Sequence, residues 1–119
     1  MLFPIFLYGS EKCAQMMRKE RFMVIYHGTF KVAPGKREEY IQKIRESSLI
    51  EAFWKQPGCI FYSVAASITD ENCVIVCDGW EDEASYQGHV DSQAVRDWHE
   101  IYDEYVLDNT PREYHFQES

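Results

Sequence analysis

The sequence predicts an α+β, ferredoxin-like domain with elements in the order β-α-β-β-α-β. Four antiparallel strands would form one sheet, with both helices on one face. Three observations predict it. Runs of β-branched and aromatic residues alternate with two stretches of helical periodicity. Pro-Gly pairs and polar clusters sit at the joins between them. The length, 119 residues with 45% hydrophobic and 15% aromatic content, suits one core and leaves no room for a second domain.

The first strand is Met23-Val-Ile-Tyr-His-Gly-Thr-Phe-Lys-Val32, stopped by Ala33-Pro34-Gly35. A helix then runs from Lys36 to about Lys55. Tyr40, Ile41, Ile44 and Ser48 form its stripe among charged neighbours, and Gln56-Pro57-Gly58 ends it. Residues 59–66 make the second strand, residues 69–72 a polar hairpin connection, and residues 73–80 the third strand. Asp82 is placed to cap a helix beginning at Glu83. Gly88 and Asp91-Ser92 suggest a break and a second cap. The following helix carries Val95, Trp98, Ile101, Tyr102, Tyr105 and Val106 at spacings of three and four. Asn109-Thr110-Pro111 is expected to end it, and residues 112–117 to form a short last strand with Tyr114 and Phe116 on one face.

Helices cover one face of such a sheet, yet both alternations are apolar. Val24, Tyr26 and Phe30 with Ile60, Tyr62 and Val64 share one parity; Phe61, Ile75 and Cys77 take another. A sheet apolar on both sides needs a second layer, and a second copy of the chain is the simplest one. A homodimer packed sheet to sheet is therefore expected.

Charge narrows the partners. The net charge is −8, and residues 70–119 hold fourteen acids against two bases. A surface of that sign repels phosphate, so neither nucleic acid nor an anionic membrane is an expected partner. No apolar stretch approaches the ~18 residues of a membrane helix.

Four cysteines do not form a disulfide framework. Cys73 and Cys77 in one strand would lie ~13 Å apart, too far to bridge. Free thiols point to a reducing compartment, and the protein is expected in the cytoplasm. Residues 1–21 read as an extension ahead of a single domain at 22–119. The apolar segment at residues 2–7 has its basic residues after it, the wrong order for a secretory signal. An upstream start ahead of Met16, Met17 or Met23, residues left by cloning, and an arm against a partner subunit all fit.

Motifs for phosphate loops, nucleophile elbows or zinc helices do not occur, and His27, His89, His99 and His115 have no ligand-like spacing. No metal site is expected. The third strand is different. Val74, Val76, Asp78 and Trp80 share one parity, which sets a carboxylate among apolar neighbours. Burial there would raise its pKa and suit a general base, unless Asp78 simply pairs with a base or caps a strand end. Trp80 fits core packing as well as a pocket wall. His89 either points under the helices or faces solvent. Tyr102 and Tyr105 read most simply as core.

Pro34-Gly35 opening a helix, Pro57-Gly58-Cys59-Ile60-Phe61-Tyr62 closing it, then Asp78-Gly79-Trp80-Glu81-Asp82-Glu83-Ala84 and His89 together resemble the antibiotic biosynthesis monooxygenase domain. The likeness runs from Met23 to Phe116. It implies a dimeric α+β barrel with a pocket between helices and sheet in each subunit. It also implies oxidation of quinols or polyketide-like phenols by molecular oxygen, with no cofactor. Asp78, Trp80 and His89 match family positions facing that pocket and become the catalytic candidates. Tyr62 matches the second-strand Phe-Tyr and, with Tyr26, Tyr102 and His99, is expected to contact substrate. The sequence departs from the family where a second histidine commonly follows five residues after the first, for here that residue is Ala94. A haem-degrading branch carries asparagine in the first strand and tryptophan in the short helix; Gly28 and His89 stand there, although His99 fits its axial histidine. A non-catalytic ligand-binding or stress-response dimer, or an isomerase of the same superfamily, is the alternative reading.

Overall fold

In the computed structural model, which describes residues 22–117, the central strand determines where everything else sits. Strand β1 (Phe22–Val32) has partners on both sides. It pairs antiparallel with β3 (Cys73–Trp80) and with β4 (Val106–Gln117), and β2 (Cys59–Ala66) pairs with the outer edge of β3. The sheet order is β2-β3-β1-β4. The fold is α+β and ferredoxin-like, as expected. Helices α1 (Arg37–Ser47) and α2 (Leu49–Trp54) join β1 to β2, and α3 (Glu83–Val90) and α4 (Gln93–Tyr105) join β3 to β4. The core between helices and sheet centres on Val24, Tyr40, Phe53, Val74, Val76 and Trp80. Among the described residues, no helix is long and apolar enough to cross a membrane.

The predicted helix over 36–55 is two helices. Ser48 stands in the left-handed region at φ 59°, a conformation that normally selects glycine. The preceding Ser47 explains the break: its hydroxyl donates to the Ile44 carbonyl at 2.6 Å and accepts from the Leu49 N–H at 3.2 Å. Side-chain bonds thus replace the helical ladder. Ser48 is exposed rather than on the apolar stripe, and the buried series passes from Tyr40 and Ile44 to Leu49 and Phe53.

Gly88 lies inside α3 rather than at a break. The caps are Asp82, which accepts from the Ser85 N–H at 2.8 Å, and Ser92, which accepts from the Val95 N–H at 3.2 Å. The helix stop expected at residues 109–111 is not there. Chain direction changes at Val106, where α4 passes directly into a strand of twelve residues. The free edge of β1 offers a full row of pairing partners, and Pro111 is accepted because β4 is an edge strand.

Strand β2 also differs in detail. Cys59 pairs with Trp80 and Phe61 with Gly79, so Ile60 is an extra residue in a bulge. Ile60 is consequently exposed and does not share the face of Tyr62 and Val64. Cys59, Cys73 and Cys77 are free thiols. The N-terminal extension and Cys13 lie outside the described residues.

Candidate active site

A cavity of about 180 Å³ opens between the sheet and helices α3 and α4. Alternation in the strands sends Tyr26 and Phe30 of β1, Tyr62 of β2, Val76 and Asp78 of β3 and Asn109 of β4 into it. From the helices come Tyr86, His89, Val90, Val95, Trp98, His99 and Tyr102. Gly28 lies between Tyr26 and Phe30 on the same row of β1. A Cβ there would stand 2.8 Å from both the Tyr26 hydroxyl and the Phe30 ring, so the glycine keeps the two rings close.

Asp78 is 1% exposed. Its Oδ2 accepts a hydrogen bond from Trp80 Nε1 at 2.7 Å, while Oδ1 is buried with no partner. Burial pushes its pKa up to about 7, against the Trp80 bond, which favours the ionised form. Asp78 is thus divided between acid and carboxylate at neutral pH. Trp80 is fully buried and is not on the cavity wall; it stands behind it. Its ring stacks on His89 with centroids 4.5 Å apart and planes at 24°.

His89 is further wedged edge-on against Phe53 at 4.8 Å and Tyr62 at 5.7 Å. Its Nδ1 lies 2.7 Å from Gln56 Oε1. A carboxamide oxygen only accepts, so Nδ1 carries the proton and Nε2 holds the lone pair. Burial lowers the His89 pKa to about 4, which keeps the ring neutral at physiological pH.

Tyr26, Tyr62, Tyr86 and Tyr102 complete the wall, and burial pushes each above its ordinary value. At Tyr62 the Asp78 charge adds to burial. Tyr86 donates to Glu113 Oε2 at 2.8 Å. Tyr26 accepts from Asn109 Nδ2 at 3.1 Å, a bond that opposes the rise. The same asparagine moderates the rise of Tyr102. His99 packs against the Tyr102 ring at 5.3 Å. Tyr105, by contrast, points away and donates to Glu39 at 2.6 Å. Among the described residues no three His, Cys, Asp or Glu side chains are grouped to hold a metal ion.

The cavity therefore unites six sequence candidates, Asp78, His89, Tyr62, Tyr26, Tyr102 and His99, and holds Trp80 one layer back. By sequence alone Trp98 lies only on a helix stripe, and Tyr86, Gln56 and Asn109 have no part in a site. Trp98 and Tyr86 had a signal, since large aromatics at helical spacing must face a core. Gln56 and Asn109 had none, because each looked like a turn residue.

The family model for antibiotic biosynthesis monooxygenase matches residues 23–101. The chain belongs to that family. A curated relative, an uncharacterized protein of Synechocystis sp., is 31% identical over 85 residues. That alignment covers 71% of this chain, but the chain spans only 56% of the relative. Solved structures agree on the fold. A protein of Shewanella oneidensis superposes with TM-score 0.71 at 24% identity, covering 79% of this chain and 90% of its own. A protein of Methanosarcina mazei Go1 does so with TM-score 0.70 at 22%, covering 83% and 96%.

Proposed function

We propose that the protein is a monooxygenase that oxidises a small phenol or quinol with molecular oxygen, using the substrate's own electrons rather than a metal or flavin. The observation that carries this reading is Asp78: a carboxylate with one oxygen held by Trp80, the other unpaired at an aromatic cavity, and a pKa near neutrality. That is what proton abstraction from a phenol requires. Asp78 Oδ1 takes the phenolic proton, and the electron-rich phenolate transfers an electron to oxygen. Recombination forms the new C–O bond. For a hydroquinone the ring gains one oxygen atom and loses two hydrogens, which leave with the second oxygen atom as water. Neutral His89 offers Nε2 as a further acceptor beside the ring, and Trp98, Tyr62 and Phe30 supply apolar walls that exclude water. A cavity of about 180 Å³ suits a single substituted ring, since roughly 150 Å³ of apolar space already accepts benzene.

The functional unit we propose is a homodimer joined through the uncovered face of the sheet. Ile25, Phe61, Ile75, Tyr114 and Phe116 share that face, and Tyr114 and Phe116 are 47% and 50% exposed.

Oxygen uptake by metal-stripped protein tests the reaction. A panel of substituted hydroquinones supplied with ¹⁸O₂ should give one labelled atom in the quinone product and one in water. Uptake no faster than without protein, across the panel, overturns the reading.

A further inference from the structure

We propose that Gln56 is a positioning residue: it fixes the proton of His89 on Nδ1, so that Nε2 meets a substrate hydroxyl as a hydrogen-bond acceptor. The inference rests on reading the cavity as a phenol site, and it gives control of one polar contact there to a residue outside the cavity. Gln56 follows α2 by two residues, and its main chain is tied on both sides of the turn. Its N–H donates to the Phe53 carbonyl at 3.1 Å, and its carbonyl accepts from the Cys59 N–H at 3.2 Å. The Gln56 side chain lines a separate cleft with Pro57, Ala84, Ser85 and Gly88. His89 is the one residue shared by that cleft and the aromatic cavity.

A neutral imidazole carries its proton on either nitrogen, and the hydrogen bond made by one decides the role of the other. The rings of Trp80, Phe53 and Tyr62 pack on His89 without bonding to either nitrogen. Among the described residues, Gln56 Oε1 is the one side-chain atom bonded to the ring, 2.7 Å from Nδ1. Nδ1 must donate to it, which leaves Nε2 as an acceptor with no partner. Nε2 is not sealed off, for the buried side-chain atoms without a partner belong to Tyr40, Asp78 and Asn109. With Nδ1 turned to the cleft, the opposite edge of the ring carries Nε2 to the cavity side. Burial keeps the ring neutral there. The other tautomer would present an N–H, which gives a phenolic proton no acceptor.

The test reads the tautomer first and binding second. ¹⁵N NMR of full-length protein at neutral pH shows which His89 nitrogen is protonated, with its signals assigned by their loss in His89→Gln. Wild-type protein should carry the proton on Nδ1. Gln56→Met, close in shape but without an acceptor, should move it to Nε2. Gln56→Glu should keep it on Nδ1 and raise the His89 pKa from about 4, because a carboxylate favours the imidazolium. Phenol binding under argon, read by calorimetry, should weaken roughly tenfold in Gln56→Met, the worth of one hydrogen bond. In Gln56→Glu it should return to within about twofold of wild type. Should the methionine variant fail to fold, Gln56→Leu carries the same expectation. A wild-type proton on Nε2, a tautomer unmoved by loss of the amide, equal phenol affinity in wild type and Gln56→Met, or no phenol binding would each overturn the proposal. The expected tautomers and affinities without oxygen uptake in air would instead retire the monooxygenase and leave the role of Gln56 standing.

Discussion

Burial displaces the Asp78 and His89 pKa values in opposite directions, and in the proposed reaction that difference separates their roles. Asp78, pushed up to about 7, must be ionised to accept a proton, so kcat/KM should climb as pH passes through that region. His89, held down to about 4, is already neutral there and contributes no limb. Asp78→Asn keeps an acceptor for the Trp80 indole and should preserve the fold. It should nevertheless lower turnover by ~10²–10⁴-fold and abolish the ascending limb. An ascending limb near 7 in that variant would show that the base is another group. In the proposed reaction Trp80 acts through Asp78 as a positioning residue. Its N–H stabilises the carboxylate, so Trp80→Phe should displace the limb to higher pH, with KM changed less than the profile. A limb at its original pH would leave Trp80 no part beyond packing.

At the level of elements, two backbone positions with positive φ should respond with opposite sign. Ser48 holds a left-handed conformation between α1 and α2 with its side chain exposed and no cap bond from its hydroxyl. Ser48→Gly removes that strain and should stabilise the protein by about 0.5–1 kcal/mol, read as a higher midpoint in urea. Gly58, at φ +79°, leads into β2 and lies against Ser85 of α3, where an added Cβ would overlap the Ser85 side chain. Gly58→Ala combines backbone strain with a steric conflict and should cost about 2 kcal/mol or more. Denaturation midpoints decide both, and equal shifts of one sign would contradict the local geometry.

For the whole molecule, the same two buried groups shape stability against pH. Asp78 has its pKa raised from 3.8 to about 7, so the stability it contributes is complete below about 4 and is lost as pH rises towards 7. His89 has its pKa lowered from 6.5 to about 4, so its contribution is complete above 6.5 and is lost as pH falls. Between about 4 and 6.5 the two slopes oppose, each at most ~1.4 kcal/mol per pH unit. Asp78→Asn should therefore gain stability with rising pH across that window, and His89→Gln should lose it. Denaturant melts at pH 4.5 and 6.5 give the comparison; parallel behaviour of the two variants would refute it. Assembly belongs to this scale as well. Sedimentation at micromolar concentration should give about twice the 14.1 kDa chain mass. A folded monomer would show that the apolar outer face is tolerated alone.

Period and punctuation in the sequence determined the order of elements, the bounds of β2 and β3, both helix caps and the burial of Asp78. Those are local signals: alternation puts Asp78 on the row of Val74 and Val76, and a carboxylate or hydroxyl before a helix meets orphan N–H groups whatever the rest of the chain does. Tertiary structure alone decided the rest. The open edge of β1 drew residues 106–111 out of the helix pattern into β4, whereas the break after Ser47 is local, made by bonds to Ile44 and Leu49 that the apolar periodicity does not reveal. Gln56 and Asn109 became site residues because packing carried two turn-like polar side chains to His89 and Tyr26, 33 and 83 residues away in the chain. No spacing rule encodes such meetings. They exist only once the sheet is paired and a cavity has formed around side chains from β1, β2, β3, α3, α4 and β4.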